Sequence, residues 1–136
     1  MYLLDTNIVS ELRRTKPHAG VVNWIQSNNS GDLFISAVTL AEIQAGIELT
    51  KEQDPVKAKD IESWLDQVSE SFNVLSMDGL TFRRWARLMH RTSDTLYEDA
   101  MIAATALAHN LKVVTRNVAD FQSFGVDLLN PFEIKN

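Results

Sequence analysis

Tyr2-Leu-Leu-Asp-Thr-Asn7 is the stretch of sequence that decides the fold. Its apolar residues run directly into Asp5, and two residues that favour turns follow. We interpret Tyr2 to Leu4 as a short buried strand, with Thr6 or Asn7 capping the helix that comes next and Asp5 itself as the alternative cap. Asp5 then lies at the carboxyl end of a strand, where open α/β sheets bind their ligands. No Lys or Arg lies within five residues of it, so a metal ion is a candidate counter-charge.

The composition bounds the class of protein. The 136 residues fit one domain over 1–136, and 45% hydrophobic with 23% charged residues is typical of a globular chain. The net charge of −5 argues against a binder driven by basic charge, but an enzyme can still reach nucleic acid through bound cations. The absence of cysteine excludes thiolate catalysis and cysteine zinc sites. No apolar run approaches the roughly 20 residues of a membrane helix, and no signal-peptide pattern is present, so we expect a cytoplasmic protein.

Strand and helix patterns alternate along the chain, which predicts an α/β fold with a central, mainly parallel, five-stranded sheet. The predicted strands are 2–4, 33–36, 72–75, 112–115 and 126–129. Six helices are predicted in chain order: the first over 8–14, the second with Pro17 in its first turn, the third over 39–49, the fourth opened by Pro55, the fifth over 80–91 and the sixth over 96–109. The third and fourth helices are expected to form a hairpin beside the sheet.

Glu42 has a structural and a functional interpretation. Thr39-x-x-Glu42 matches a capping box, in which the glutamate reaches back to the backbone of the cap residue. The second strand ends just before this segment, however, so the same glutamate also lies at the carboxyl edge of the sheet.

Asp99 is harder to explain structurally. Thr95-x-x-Glu98 matches a second capping box, which accounts for Glu98 and leaves Asp99 without a capping role. Asp99 shares its helix face with small and apolar residues such as Ile102 and Ala103. A carboxylate on a buried face needs a partner.

Asn117 and Asp120 follow the fourth strand, where turn and cap roles explain both. A parallel sheet nevertheless gathers these acids from four segments at one end, where carboxylates repel each other unless a cation binds. Oxygen ligands without clustered histidines favour Mg²⁺ or Mn²⁺. The chemistry that matches such a site is hydrolysis of a phosphodiester.

Four short motifs in this order resemble PIN-domain proteins, and most of all the FitB-like group of VapC toxins. The motifs are Leu3-Leu-Asp-Thr-Asn7, Ala41-Glu42, Asp99-x-x-Ile-Ala-Ala-Thr-Ala106 and Val113-Val-Thr-Arg-Asn117. Each motif is short, and the resemblance as a whole covers essentially the entire chain.

The resemblance implies a fold, an activity and partners. The fold is a three-layer PIN fold, with helices on both faces of the sheet, and the activity is a Mg²⁺- or Mn²⁺-dependent ribonuclease that cuts RNA, often tRNA. The implied partner is a small VapB-like antitoxin that inserts a basic side chain near the acids and binds operator DNA. Relatives form homodimers that pair further in the antitoxin complex.

The resemblance also implies residue roles. Asp5 and Asp99 match the two principal metal ligands, and Glu42 matches a third acid that ligates metal or positions water. Thr6 matches a residue whose hydroxyl orients the first acid. The chain departs from the pattern at Asn117, where many relatives carry Asp, and Asp120 is the candidate to replace that fourth acid.

The arginines of the fifth predicted helix are candidate RNA contacts. Arg84, Arg87 and Arg91 share a helical face, which is either a solvated outer surface or a phosphate-binding patch. Arg13, Arg14 and Lys16 can serve the same purpose from the first helix.

Two other functions fit the same acids. A phosphatase could use Asp5 as its nucleophile, although phosphatases of the haloacid dehalogenase group usually carry a second Asp where this chain has Asn7. A non-catalytic module could use the acids only to dock a basic partner.

Overall fold

The computed structural model describes residues 1–134 and contains a five-stranded parallel sheet of order β3-β2-β1-β4-β5. Its strands are β1 (Tyr2–Leu4), β2 (Leu33–Ser36), β3 (Asn73–Leu75), β4 (Lys112–Val114) and β5 (Leu128–Leu129). All four pairings are parallel, so the predicted fold class is confirmed. The last strand is shorter than predicted, because Val126 and Asp127 come before the paired residues.

Seven α-helices connect and flank these strands in the described residues. They are α1 (Thr6–Glu11), α2 (Ala19–Gln26), α3 (Ala37–Lys51), α4 (Pro55–Ser71), α5 (Gly79–Met89), α6 (Tyr97–His109) and α7 (Val118–Phe121). Helices α3 and α4 pack against each other as the expected hairpin. None of the helices between residues 1 and 134 combines the length and the apolar content that a membrane crossing requires.

Both faces of the sheet are buried. Successive residues of each strand point to opposite faces, and each face packs in its own hydrophobic core. Leu4, Ile35 and Val114 pack with residues of α1 to α4 on one face. Leu3 and Val113 pack with residues of α6 and α7 on the other face, where Trp85 of α5 also contributes. The small alanines of α6 allow this helix to lie close to the sheet.

The strand order creates a switch point beside β1. The chain moves from β1 through β2 to β3 on one side and then crosses to β4 on the other side. In such sheets the crevice at the carboxyl ends of the two diverging strands is where ligands bind. Leu4 pairs with both Ile35 and Val114. The residues that follow this row therefore emerge together at one edge.

Several helix starts differ from the sequence prediction because a different residue forms the cap. Asp5, not Thr6 or Asn7, is the N-cap of α1. His18 caps α2, so Pro17 precedes the helix and does not lie in its first turn. Ser36, not Thr39, caps α3. A Ser ending a strand is as good a cap as the Thr three residues later, and the sequence alone does not distinguish them.

Candidate acid site at the sheet edge

Asp5 is a buried carboxylate held by three hydrogen bonds. It is only 4% exposed, directly after β1. Its Oδ1 accepts the backbone N–H of Thr6 at 2.8 Å. Its Oδ2 accepts the hydroxyl of Thr115 at 2.8 Å and the side-chain amide of Asn7 at 3.0 Å. Burial raises the pKa of Asp5, and these three hydrogen bonds oppose the rise by stabilising the ionised form.

Thr115 and Asn7 are supporting residues that the sequence did not single out. Thr115 is fully buried, and its Oγ1 also accepts the backbone N–H of Asn117 at 2.9 Å. The Oδ1 of Asn7 accepts the backbone N–H of Arg116 at 3.2 Å. These bonds join the residues after β1 to the residues after β4. The only feature of the sequence that pointed to these two residues was the polar residue after each apolar strand. Which strand ends lie next to each other depends on the strand order, which the sequence does not reveal.

Glu42 lies in the second turn of α3 and is not a capping residue. The cap is Ser36, whose Oγ accepts the N–H of Val38 at 3.1 Å, so the predicted capping box does not form. The half-buried carboxylate of Glu42 instead accepts the hydroxyl of Thr6 at 2.8 Å. Burial raises the pKa of Glu42, the bond from Thr6 lowers it, and the charge of Asp5 raises it again.

The role implied for Thr6 therefore belongs to another residue. The resemblance implies that the hydroxyl of Thr6 orients the first acid. In the structure that hydroxyl donates a hydrogen bond to Glu42 and lies 3.0 Å from the hydroxyl of Thr39. Only the backbone N–H of Thr6 reaches Asp5. The hydroxyl that orients Asp5 comes from Thr115, across the β1–β4 pairing.

Asp99 lies in the first turn of α6 and has the most perturbed carboxyl of the site. Its pKa is raised from 3.8 to about 7, first by burial and then by the charges of Asp5, Asp120, Glu42 and Glu98. The second predicted capping box does not form either, because Ser93 accepts the N–H of Thr95 and α6 has no side-chain cap. Acids of three other segments, Asp5, Glu42 and Asp120, are therefore close enough for their charges to act on Asp99.

Asp120 is the fourth acid in this group. It is exposed on α7, and its charge raises the pKa of both Asp5 and Asp99. Asn117 precedes α7, and with Asp120 it lines an open cavity of about 490 Å³. The structure thus brings Asp5, Glu42, Asp99 and Asp120 to one edge, with Asn117 beside Asp120.

The donor set fits a hard divalent cation, although no preformed metal centre is present. Within residues 1–134, no three acidic or histidine side chains are arranged so that they could hold an ion as they stand. Asp5, Glu42, Asp99 and Asp120 nevertheless supply four carboxylates. None of the four forms a salt bridge with a Lys or Arg in this part of the chain. Carboxylates that raise each other's pKa in this way are the donors expected for Mg²⁺ or Mn²⁺.

The three candidate RNA-binding arginines do not form one face near these acids. Helix α5 ends at Met89, so Arg91 lies beyond it, in a left-handed conformation with φ 62°. Arg84 lines a cavity with Asp78 and with His109, the last residue of α6. Asp99 is in the first turn of the same helix, about 15 Å from His109 along its axis. Arg84 is therefore remote from the acid site.

Known proteins share the sequence and the fold. A family model described as the PIN domain matches residues 2–125. The chain is 37% identical to the plasmid stability protein StbB of Pseudomonas syringae pv. tomato, over 98% of this chain and 99% of the relative. It is 33% identical to the VapC ribonuclease Y4jK of Sinorhizobium fredii, again over 98% and 99%. It is 31% identical to the toxin FitB of Neisseria gonorrhoeae, over 97% and 99%.

A solved structure extends the likeness to three dimensions. FitAB bound to a DNA fragment superposes on 100% of this chain and 99% of its own chain, with a TM-score of 0.86 and 29% sequence identity.

Proposed function

The chain belongs to the PIN-domain family, and on this premise we propose that it is a ribonuclease that hydrolyses phosphodiester bonds of RNA and acts as the toxin of a toxin–antitoxin pair. The observation that carries the proposal is the placement of Asp5, Glu42, Asp99 and Asp120 close enough for their charges to raise the pKa of Asp99, with no Lys or Arg salt bridge to any of them within residues 1–134. Relatives of matching length are named a VapC ribonuclease and the toxin FitB. Family membership favours this function over a phosphatase that uses Asp5 as nucleophile.

The acids divide the work in the proposed site. Asp5, Asp99 and Glu42 are the ligands of a Mg²⁺ or Mn²⁺ ion, and Asp120 adds charge at the open side. A bound divalent cation supplies the charge that activates water and stabilises the leaving oxygen. Thr115 and Asn7 keep the Asp5 carboxylate ionised and fixed in orientation through their hydrogen bonds. The hydroxyl of Thr6 orients Glu42 in the same way, and Glu42 would hold the metal or position the attacking water.

The relatives also supply the proposed setting. FitAB was solved on DNA, and we propose that this chain pairs with a small VapB-like antitoxin that neutralises it and binds operator DNA. A basic side chain of that partner provides the positive charge that the acid site lacks. The chain forms a single PIN domain over 1–136, assembles as a homodimer, and acts in the cytoplasm, where its RNA substrate is found.

The test is cleavage of RNA by the purified protein. The parent should cut unfractionated tRNA when Mg²⁺ or Mn²⁺ is added, and its expression should arrest growth. Asp5→Asn and Asp99→Asn should each lose cleavage and relieve the arrest. Asp66→Asn is the matched control, because Asp66 is an exposed acid on α4 outside the site. An Asp5→Asn protein as active and toxic as its parent would refute the proposal.

A further inference from the structure

Four cationic side chains line one open cavity. The chain has 13 Lys and Arg against 18 Asp and Glu, yet four of the five residues that line this cavity are cationic. They are Arg13, Arg14 and Lys16, which follow α1, and Lys57 in the first turn of α4, with Thr15 between them. The cavity is about 520 Å³, and no acidic residue lines it.

Most of this charge is available to a ligand. Between residues 1 and 134, Arg14 is the only one of the four in a salt bridge, a 3.5 Å contact with Glu11. Arg13, Lys16 and Lys57 are exposed and have no carboxylate within 4 Å in this part of the chain. Exposed cations brought together in this way repel each other and are stabilised by a bound anion.

A buried carboxylate fixes the loop that carries three of these cations. Glu11 is 6% exposed, and its Oε2 accepts the backbone N–H of His18 at 3.0 Å. The ring of His18 in turn lies 4.8 Å from that of Phe132. The loop between α1 and α2 is thus tied at both ends, which fixes the backbone that carries Arg13, Arg14 and Lys16.

A groove joins the basic cavity to the acid site. A second cavity, of about 370 Å³, is lined by residues of α1, α3 and α4, including Thr6, Glu42 and Trp64. Arg13 lines both cavities. Arg13 lies two residues beyond the end of α1, the helix that begins at Thr6. The two cavities meet at Arg13, so a strand that follows them runs from Glu42 to the cations.

We propose that the cavity of Arg13, Arg14, Lys16 and Lys57 binds a backbone phosphate of the RNA strand, on one side of the bond that is cut at the acid site. The inference rests on the proposed ribonuclease function. It assigns to this loop the phosphate contact that α5 cannot make through Arg84, which faces Asp78 at the other end of α6. Arginine and lysine together suit a phosphate, which accepts several charge-assisted hydrogen bonds.

The experiment measures RNA binding separately from cleavage. The protein is the double variant Lys16→Ala/Lys57→Ala, and the control is Lys59→Ala/Lys112→Ala, which removes two exposed lysines that line neither cavity. The probe is fluorescently labelled unfractionated tRNA, titrated in EDTA so that no cleavage occurs. We expect roughly a tenfold rise in Kd for the cavity variant, the effect of two exposed charge contacts, and about twofold or less for the control.

The salt dependence identifies the contact. The slope of log Kd against log salt should fall by about 0.7 to 0.9 for each phosphate contact removed. Equal Kd values and slopes for the cavity variant and the control overturn the inference. So does a cavity variant that loses affinity for poly-L-glutamate but not for tRNA, because the cavity would then dock an acidic protein segment. If the cavity variant loses tRNA affinity while the parent never cleaves RNA, this inference holds and the proposed function fails.

Discussion

At the scale of the single residue, Asp99 keeps its proton to a pH at which an ordinary aspartate is fully ionised. The cause is its position, half-buried on α6 and facing carboxylates from β1, α3 and α7. Its pKa of about 7 in the folded protein compares with 3.8 in the unfolded chain. Such a shift is typical of acids that a protein has arranged for function at a cost in stability.

This shift predicts how stability depends on pH. The folded state binds the proton of Asp99 more tightly than the unfolded state does, so the contribution of this residue to stability falls as the pH rises from about 4 to about 7. Asp99→Asn removes the charge and should flatten that decline. Above about pH 7 it should be more stable than its parent by about 1–2 kcal/mol, since a half-buried carboxylate keeps part of its hydration.

The measurement is urea unfolding of parent and variant in EDTA across this pH range. Taking the difference between the two proteins cancels the titration of groups that they share. Asp66→Asn serves as the control for the loss of one exposed acid outside the site. A parent and an Asp99→Asn protein whose stabilities run parallel from about pH 4 to pH 8 would contradict the raised pKa.

At the scale of the element, α3 shows what a sequence can and cannot specify. Its apolar spacing predicted a helix correctly, and the preceding strand was predicted at its observed bounds, because runs such as Leu33 to Ser36 have few alternatives. The predicted start of α3, at residue 39, was two residues too late, since Ser36 and Thr39 both make good caps. The position of this start matters for Glu42, because a helix capped by Thr39 would explain the glutamate as a capping residue without any function.

The true start of α3 gives the second prediction. Ser36→Ala removes the side chain that accepts the N–H of Val38 and should lower the free energy of unfolding by about 1 kcal/mol. Glu42→Gln should leave it unchanged or slightly raised, since Gln keeps an acceptor for the Thr6 hydroxyl and removes a charge that the site repels. Urea unfolding in EDTA measures both. A Ser36→Ala protein as stable as its parent would contradict Ser36 as the cap of α3.

The acid site itself was only partly predictable, for a reason that also belongs to the elements. Asp5, Glu42 and Asp99 each stand at a strand end or helix start that the local pattern reveals. Thr115 was hidden, because its bond to Asp5 crosses 110 residues and depends on β4 pairing with β1. Strand order is set by the packing of the whole chain and is not visible in the sequence of either strand.

At the scale of the whole molecule, the switch in strand order sets the distribution of charge. The crossing from β3 to β4 brings acids from four segments to one edge of a chain whose net charge is −5. The exposed cations of the loop after α1 lie along the groove from that edge. A polyanion can approach such a molecule only where cations, its own or bound, offset the acids.

Metal binding should therefore stabilise the fold through this edge. With Mg²⁺ or Mn²⁺ at about 100 times its Kd, the free energy of unfolding should rise by about 2.7 kcal/mol, seen as several degrees in Tm. The affinity should be weaker at pH 6 than at pH 8, because below a pKa of about 7 the ion must displace the proton of Asp99. Calorimetry in buffers of different ionisation enthalpy measures that released proton, and EDTA should reverse the rise in Tm.

The double variant Asp5→Asn/Asp99→Asn locates the ion. It keeps the shape of both side chains but leaves Glu42 and Asp120 too few charges to hold a divalent cation, so its Tm should not respond to Mg²⁺ or Mn²⁺ beyond an equal ionic strength of NaCl. A double variant that gained as much stability as its parent would place the ion elsewhere on this acidic surface. The repulsion around Asp99 would then be relieved only by a basic side chain of a partner, which is the behaviour of a binding module and not of a nuclease.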